Sequence, residues 1–393
     1  MERLFLKSVP ILEVIEEAGY EAYFVGGSVR DYILGRPIND VDIATSATPQ
    51  EIKRIFPNTA DIGIDHGTVL VITETGTYEI TTFRTESGYS DFRRPDAVQF
   101  VRSLTEDLQR RDFTMNAMAM DKTGKIIDPF NGKCDLAEKR IITVGNPHER
   151  FHEDALRMMR ALRFVSQLDF DLDQETFDSL KENAQIISEI AVERILVEFE
   201  KLVAGSNKTR AFSLLLESGL YQYLPQFSSK KDHLMDLLKL PLHQLKAAEI
   251  WSIIMVNTKD QELEKALREW KLPLKTIRNV QRTIQLVKIE PSAIDVFQAG
   301  LGVTVQAAKV KAALSGGNVS NAEENAHQSY NELIIKQMSD LAVTGTDLLN
   351  WHQEKPGPWV KEYLEKILKA VLNEELRNDK EEIKRWLVKC NLS

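Results

Sequence analysis

The sequence has little cysteine, no long hydrophobic run and no excess of positive charge, and these shortages exclude several classes of protein. Only two cysteines occur among 393 residues, Cys134 and Cys390, without the spacing of a zinc site or a disulfide framework. The apolar stretch 250–256 is interrupted by Ser252 and is too short to cross a bilayer. No small-residue cleavage site follows the apolar N-terminal pattern. We therefore expect a cytoplasmic protein without a membrane partner.

The acidic balance does not exclude a polyanionic ligand. The formal net charge is −9, but acidic residues are frequent late in the chain, as in 373–375 and 380–382. The first half carries a group of arginines, namely Arg93, Arg94, Arg110, Arg111, Arg157, Arg160 and Arg163. A local face of this kind can bind phosphates in a salt-dependent way.

Two kinds of periodicity divide the chain. Before about residue 145, strand and helix patterns alternate: a capping box at Thr48 begins a helix, and segments 68–72 and 78–83 flank a predicted turn at 75–77. After His148, apolar residues recur at helical spacing. The predicted helices include 149–164, 185–203, 210–216, 245–254, 261–270 and 360–387. We expect an α+β head, a small mixed sheet with helices, followed by an extended all-α portion.

The most informative pattern is a glycine pair followed by paired aspartates. Gly26 and Gly27 follow the apolar run 22–25 and precede a helix-compatible stretch, so backbone N–H groups at the helix start can hold a polyphosphate. Arg30 lies one turn into that helix and can reach the same phosphates. If Asp40 and Asp42 lie on a strand, their carboxylates face one way, which suits magnesium. The glycine pair alone, or the aspartate pair alone, commonly has only a structural role. Together, in this order, the two pairs predict a metal-dependent nucleotidyltransferase.

A second pattern predicts base selection. Asp154 accepts hydrogen bonds and Arg157 donates them, so the pair matches the amino group and ring nitrogen of cytosine or adenine. Guanine and uracil present the reverse order and would leave buried polar groups unpaired. Arg160 and Arg163 would then reach the triphosphate or ribose. The alternative is a surface helix with an ordinary ion pair at i, i+3 spacing.

Five ordered motifs give the first half of the chain a resemblance to a known family. Their order resembles that of the class II CCA-adding tRNA nucleotidyltransferases, in the superfamily that also contains poly(A) polymerases. The motifs are Gly26-Gly27-x-Val29-Arg30-Asp31 with Asp40-x-Asp42, Arg110–Ala117, Asn131-Gly132-x-x-Asp135-Leu136, Glu153-Asp154-x-x-Arg157 and Glu193-Arg194-x-x-x-Glu198. The second half matches more loosely, through 217–220 and 343–348.

The resemblance implies roles for individual residues. Asp40 and Asp42 would ligate catalytic Mg²⁺, and Glu79 resembles the family's third acidic residue, although an ordinary strand glutamate is the alternative. The implied nucleotide-binding residues are Gly26, Gly27, Arg30, Arg111, Asp112, Asp154, Arg157, Arg160 and Arg163. Residues Glu193, Arg194 and Glu198 would brace the helix that reads the base.

The resemblance also implies a division into domains, a set of substrates and several alternative functions. The expected domains are a catalytic head (1–146), a base-recognising neck (147–206), a body (207–310) and a tRNA-binding tail (311–393). The substrates would be CTP, ATP and the acceptor and TΨC arms of tRNA, and a homodimer is left open. The rivals are A-adding, CC-adding and poly(A)-adding relatives, and a nucleotide- or RNA-binding module without turnover. The stretch 84–101 resembles a moving loop that CC-adding relatives shorten.

Overall fold

The computed structural model describes residues 2–63, 67–89, 92, 95–352 and 355–390. The chain divides into two compact units, Met1–Lys231 and Asp232–Ser393. Predicted residues Arg93 and Arg94 lie outside the described ranges.

A seven-stranded sheet organises the first unit. Its order is β3-β4-β5-β2-β1-β8-β9, with β2 and β5 parallel and the other neighbours antiparallel. This order confirms the predicted mixed sheet. The turn between β4 and β5 lies at 74–75, so residues 76 and 77 of the predicted turn 75–77 belong to β5. The strands are β1 (Ala22–Val25), β2 (Asp42–Thr45), β3 (Thr59–Gly63), β4 (Thr68–Thr73), β5 (Gly76–Thr82), β6 (Arg84–Ser87), β7 (Ala97–Phe100), β8 (Ala119–Met120), β9 (Ile126–Ile127), β10 (Arg140–Ile141) and β11 (Asp171–Leu172).

In the described residues of the first unit, ten α-helices accompany these strands. They are α1 (Arg3–Glu17), α2 (Gly27–Ile33), α3 (Pro49–Ile55), α4 (Leu104–Gln109), α5 (Gly132–Ala137), α6 (Pro147–Glu153), α7 (Leu156–Leu168), α8 (Gln174–Asn183), α9 (Val192–Ala204) and α10 (Lys208–Glu217). Helix α3 begins with the predicted capping box, in which Thr48 accepts from the Glu51 N–H and the Glu51 carboxylate accepts from the Thr48 N–H. Helices α7 and α9 pack together.

The strand expected to carry both aspartates is shorter than predicted. Strand β2 begins at Asp42, which pairs with Val25, the last residue of β1. The next residue, Gly26, leaves the strand with φ 74°. Asp40 therefore has no β1 residue opposite it, and it lies in the irregular segment before the strand.

Three predicted helices are each divided in two. In 149–164, α6 ends at Glu153, and Asp154 is extended, with its carboxylate accepting the Leu156 N–H at 3.1 Å. In 185–203, a 3₁₀ turn (Ala184–Glu189) precedes α9. In 360–387, Asp379 caps a second helix through the N–H groups of the first turn. At the first and third breaks an aspartate side chain binds backbone N–H groups that would otherwise continue the helix, and the spacing of apolar residues does not indicate such a contact.

The stretch 84–101, expected to be a loop, contains a β-hairpin stem. Strands β6 and β7 are antiparallel, from the pair Arg84 and Phe100 to the pair Ser87 and Ala97. Near its tip, the Phe92 carbonyl accepts the Ala155 N–H at 3.1 Å, and the Phe92 ring lies 5.9 Å from that of His152. The hairpin thus contacts the junction between α6 and α7.

From Lys231 onward the chain is helical, as predicted. The helices are α11 (Lys231–Leu237), α12 (Ala247–Met255), α13 (Asp260–Glu269), α14 (Leu274–Val287), α15 (Ala293–Ser315), α16 (Val319–Asn331), α17 (Gly345–His352), α18 (Pro358–Leu372) and α19 (Lys380–Lys389). Helix α15 is broken at Gly300, where φ is 75°. Among the described helices, none combines the length and hydropathy that a membrane crossing requires.

Candidate active site

A cleft of about 1230 Å³ in the first unit brings most of the predicted site residues together. The β1–α2 turn, the start of β2, the segment 110–116 and helices α7 and α9 supply its lining. The predicted residues that line it are Gly26, Gly27, Arg30, Asp40, Asp42, Arg111, Asp112, Asp154, Arg157, Arg160 and Arg163. Glu79 does not line it, so the structure does not bring every predicted residue into the cleft.

The β1–α2 turn leaves no room for a side chain at Gly26. Gly26 has φ 74°, and a Cβ placed there would lie 3.0 Å from Arg111 Nη1 and 3.5 Å from Asp42 Oδ2. A guanidinium and a carboxylate therefore face the same small space. Helix α2 begins at the next residue, Gly27, as predicted.

Arg30 is held more tightly than the sequence indicated. Its guanidinium donates to both carboxylate oxygens of Asp31, at 3.0 and 2.9 Å, and to Asn116 Oδ1 at 2.8 Å. It also lies over the Phe164 ring, 5.2 Å from the centroid. These contacts fix the cation at the wall of the cleft.

The acidic residues crowd one another at the end of β2. Because Ile43 and Ile80 are partners on parallel strands, Asp42 and Glu79 project from adjacent positions on one face. Partial burial raises the pKa of Asp42, the charge of Asp40 raises it further, and Glu79 adds to this effect, whereas Arg111 opposes it. Glu79 is thus close enough to act on Asp42 electrostatically, although it lies outside the cleft lining.

The donor set at this end fits a hard divalent cation. Within the described ranges, no group of three or more His, Cys, Asp or Glu side chains is arranged to hold a metal. Asp40 and Asp42 supply two carboxylates to the cleft. Magnesium is commonly held by one or two carboxylates, with water and substrate phosphate completing its shell.

Asp112 organises the wall opposite the glycines. Its carboxylate accepts from the Phe113 N–H at 2.9 Å, from Asn116 Nδ2 at 3.1 Å and from Arg160 Nε at 2.8 Å. Burial would raise the pKa of Asp112, but the Arg160 cation and these hydrogen bonds outweigh it and hold the pKa well below its usual range. Asp112 therefore remains ionised and fixes Arg160.

The predicted pair of Asp154 and Arg157 does not form an ion pair. Arg157 Nη1 binds Glu153 Oε2 at 2.6 Å, and the same guanidinium donates to the carbonyls of Arg150 and Arg110, each at 3.0 Å. Asp154 instead faces Arg194 of α9, with an Oδ2 to Nη2 distance of 3.4 Å. The break between α6 and α7 causes this exchange, because the two residues no longer share a continuous helix.

Asp154 keeps acceptor capacity toward the cleft. Burial raises the pKa of its carboxyl, and the charge of Arg194 is the largest opposing influence, followed by its bond to the Leu156 N–H and by Arg157. A carboxylate accepts about four hydrogen bonds. Asp154 is bound by Leu156 and Arg194, so further acceptor positions remain for a base.

Arg163 pairs with Glu198, as the expected bracing role of α9 implies. Its Nε lies 2.9 Å from Glu198 Oε2, and its guanidinium lies 4.2 Å from the Phe164 ring centroid. Burial lowers the pKa of Arg163 to about 10, and the neighbouring Arg160 cation contributes to this shift. Arg163 is thereby joined to α9.

Sequence reasoning missed a buried ionic network at the base of the hairpin. Asp107 is fully buried and accepts from Arg110, at 3.0 and 2.8 Å, and from Arg111 at 3.3 Å. Glu86 of β6 accepts from Arg84 at 2.8 Å and from Arg110 at 3.1 Å. The i+3 and i+4 spacing from Asp107 to the two arginines could have predicted the first part, but Glu86 carries no local indication.

The arrangement defines a class of protein. A strand, a glycine turn and a short helix face paired carboxylates at the start of the next strand, and arginines surround the cleft, as expected of a nucleotidyltransferase. The family described as "Poly A polymerase head domain" matches residues 22–142. "Probable RNA and SrmB- binding site of polymerase A" matches 169–231, and "tRNA nucleotidyltransferase domain 2 putative" matches 242–387.

Comparison with individual relatives identifies the family within this class of nucleotidyltransferases. A CCA-adding enzyme of a Geobacillus species is 46% identical over 100% of this chain and 98% of its own length. The CCA-adding enzyme of Bacillus licheniformis is 46% identical over 100% of both chains. The crystal structure of the Bacillus stearothermophilus CCA-adding enzyme in complex with CTP is 42% identical, with a TM-score of 0.89, covering 100% of this chain and 98% of that one. The chain belongs to the family of CCA-adding enzymes.

Proposed function

We propose that this protein adds cytidine, cytidine and adenosine to the 3′ end of tRNA, using CTP and ATP in a single active site. The observation that carries the proposal is that one cleft contains both the predicted phosphate-side residues and the predicted base-reading residues. Family membership supports the same reaction. The tRNA 3′-oxygen forms a bond to the α-phosphorus of the nucleotide, the bond from that phosphorus to the bridging oxygen breaks, and pyrophosphate leaves.

The phosphate side of the proposed site consists of Gly26, Gly27, Arg111, Asp40 and Asp42. Because Gly26 has no Cβ, the Arg111 guanidinium and the Asp42 carboxylate lie close to the turn, and the cleft that they line would take the phosphates. We propose that Asp40 and Asp42 hold Mg²⁺, which when bound activates the attacking hydroxyl and offsets the charge of the triphosphate. Glu79 would strengthen the negative field around Asp42 without contacting the nucleotide.

The base side consists of Asp154 and Arg157. Asp154 would accept the amino group of cytosine or adenine, and Arg157 would donate to the neighbouring ring nitrogen. Arg157 is already bound to Glu153 and to two carbonyls, so it offers its remaining N–H groups in a fixed position. Guanine and uracil would leave both groups unpaired, and such mismatches in a buried site are rejected strongly.

Arg160 and Arg163 would act on the nucleotide from fixed positions. Asp112 and Glu198 hold them, respectively. We infer that Arg30, Arg160 and Arg163, which all lie over Phe164, form a positive wall that attracts the triphosphate. A cytoplasmic location fits this function and the two exposed free cysteines.

The test is a 3′-end assay with tRNA that ends at the discriminator base. We expect C-C-A when CTP and ATP are both supplied, C-C with CTP alone, and no addition with GTP or UTP. Addition of A alone, arrest at C-C with both nucleotides, or long A tails would each replace the proposal with one of the rival activities. Binding of tRNA without any incorporation would indicate a binding module.

An Asp42→Asn variant controls for the chemistry. We expect it to lose incorporation by about a thousandfold or more, because it removes a charged ligand from the reaction centre, while tRNA affinity stays near the parent value. Asp61→Asn, which changes an exposed strand aspartate paired with Lys53 in the same way, should retain activity.

A further inference from the structure

Helix α9 presents an exposed valine to the cleft. Val197 is 48% exposed and belongs to the cleft lining. Most other apolar residues of α9 are buried, namely Ile195, Leu196, Phe199, Leu202 and Val203. Single exposed valines are common on protein surfaces, but a β-branched residue is a weak helix former. Neither core packing nor helix stability therefore accounts for a valine at position 197.

Side-chain contacts between α9 and the segment 154–166 fix the level of Val197 in the cleft. In order along both segments, they join Arg194 to Asp154, Glu198 to Arg163, and the Leu202 carbonyl to the Ser166 hydroxyl. Because the partners follow the same order on both sides, α7 and α9 run in the same direction. Val197 lies between the first two contacts, so it is level with the first turns of α7, which carry Arg157 and Arg160.

The other apolar residues on this side of the cleft are covered. Leu156 and Phe164 of α7 belong to the lining, but they are only 5% and 4% exposed. The guanidinium groups of three arginines lie over the Phe164 ring, 4.2 to 5.7 Å from its centroid. Among the described residues that α7 and α9 contribute to the lining, only Val197 is both apolar and exposed.

A nucleobase can use an apolar surface at this level. The hydrogen-bonding groups of a base lie on its edges, whereas its two faces can pack against a protein side chain whatever the base is. The proposed edge readers are Asp154 and Arg157, so a base that they bind has its faces toward other groups of the cleft. An apolar contact on a face also keeps water from the edge, where hydrogen bonds are stronger in a dry site and unpaired groups cost more.

We propose that Val197 contacts a face of the incoming base, whether cytosine or adenine. The proposal rests on the proposed function, which places that base at Asp154 and Arg157. A site that takes two bases of different size needs a contact that both can make, and an apolar face contact meets this need because it does not depend on the edge groups. Val197 is thus a binding residue for both nucleotides, and selection against guanine and uracil stays with the edge readers.

The test measures nucleotide binding without tRNA, so that the incoming base is the only base present. Val197→Thr replaces a methyl group by a hydroxyl of similar size, and both residues are β-branched, so α9 is preserved. Calorimetric titrations in the presence of Mg²⁺ compare CTP, ATP and ribose 5′-triphosphate, which has no base. Val14→Thr is the matched control, because Val14 is a 40% exposed valine of α1 outside the cleft lining.

We expect Val197→Thr to bind CTP and ATP about three- to tenfold more weakly, because a hydroxyl replaces apolar surface against the base. Its affinity for ribose 5′-triphosphate should equal that of the parent. Val197→Ile, which keeps an apolar surface, and the control Val14→Thr should bind CTP and ATP like the parent. Unchanged affinities of Val197→Thr for CTP and ATP would overturn the proposal, and so would equal weakening of all three ligands, which would indicate a displaced phosphate side.

Incorporation assays separate this inference from the proposed function. With tRNA lacking CCA, Val197→Thr should raise the KM for CTP and for ATP, while kcat and the KM for tRNA stay at the parent values. A raised KM for tRNA alone would assign Val197 to the tRNA end and overturn the proposal. A parent protein that adds no CCA would contradict the proposed function. A parent that adds CCA, together with a Val197→Thr variant of unchanged nucleotide affinity, would contradict only the role of Val197.

Discussion

Asp154 is the residue whose ionisation the proposed base selection depends on most. Its carboxyl must be ionised to accept from the amino group of cytosine or adenine. Burial raises its pKa, and Arg194 opposes that effect more than any other neighbour. Arg194 is therefore a positioning residue that also keeps Asp154 in its accepting form.

Arg194→Gln should move the acid limb of CTP incorporation toward higher pH. Without the cation the pKa of Asp154 rises further, and below that pKa the carboxyl is protonated and becomes a donor. Discrimination against GTP and UTP should weaken over the same pH range. The measurement is kcat/KM for each nucleotide between pH 5 and 8.

Lys201→Gln is the matched control, because it removes one positive charge from an exposed position on the same helix. Its pH profile should match that of the parent. An acid limb that is unchanged in Arg194→Gln would refute the role of Arg194.

At this scale the sequence predicted which residues line the cleft better than it predicted their partners. Of the twelve residues predicted as metal ligands, catalytic or nucleotide-binding residues, all but Glu79 line the cleft. The choice of partner depends on where helices end: Arg157 has both Glu153 and Asp154 nearby in sequence, and it binds Glu153 because the backbone turns at Asp154. The helical spacing of apolar residues does not indicate where a helix is interrupted in this way.

The β1–α2 turn is the element on which the phosphate side of the site depends. Gly26 combines a backbone conformation that favours glycine with a close approach to Arg111 and Asp42. Gly35, at the other end of α2, has φ +64°, but a Cβ placed there would meet no described atom within 4 Å. A substitution at either position strains the backbone, but only a substitution at Gly26 also crowds the cleft. Comparing the two positions therefore separates these effects.

Gly26→Ala should lower CTP incorporation by about a hundredfold, because the added methyl displaces Arg111 or Asp42 from the reaction geometry. Gly35→Ala should leave incorporation near the parent level. Both variants should lose about 1 kcal/mol of stability from the positive φ. Incorporation rates and thermal unfolding midpoints check these outcomes, and equal activity in the two variants would contradict the assigned role of the turn.

The β4–β5 and β6–β7 hairpins show which secondary-structure elements the local sequence can predict. The β4–β5 hairpin was predictable because β-branched residues flank a short turn at Glu74 and Thr75, next to Gly76. The β6–β7 stem was not, because the four residues of β6 are charged or polar and its buried contacts come from Arg110 and Asp107. Long-range ionic contacts of this kind leave no periodic pattern in the strands themselves.

At the scale of the whole molecule, the two units differ in how they use buried charge. In the first unit buried ion pairs surround the cleft, whereas in the second unit Lys309 of α15 is almost fully buried beside Glu249, at 3.6 Å, and Glu323, at 3.2 Å. Glu249 also caps α12 by accepting the Lys246 N–H. Lys309 thus joins α12, α15 and α16 through charge.

Lys309→Met should destabilise the second unit by about 3–5 kcal/mol, because it leaves Glu249 buried without its cation. All five tryptophans lie in the second unit, at 251, 270, 351, 359 and 386, so urea unfolding followed by tryptophan fluorescence reports on that unit alone.

Lys311→Met is the control on the same helix. Its partner Glu290 is 90% exposed, and exposed pairs contribute at most about 1 kcal/mol. Adding Glu249→Gln to Lys309→Met should restore part of the loss, since the double variant leaves no unpaired charge on α12 while the glutamine can still accept the Lys246 N–H. A Lys309→Met protein as stable as Lys311→Met would show that the buried contacts of the second unit are held together by apolar packing instead of by this ion pair.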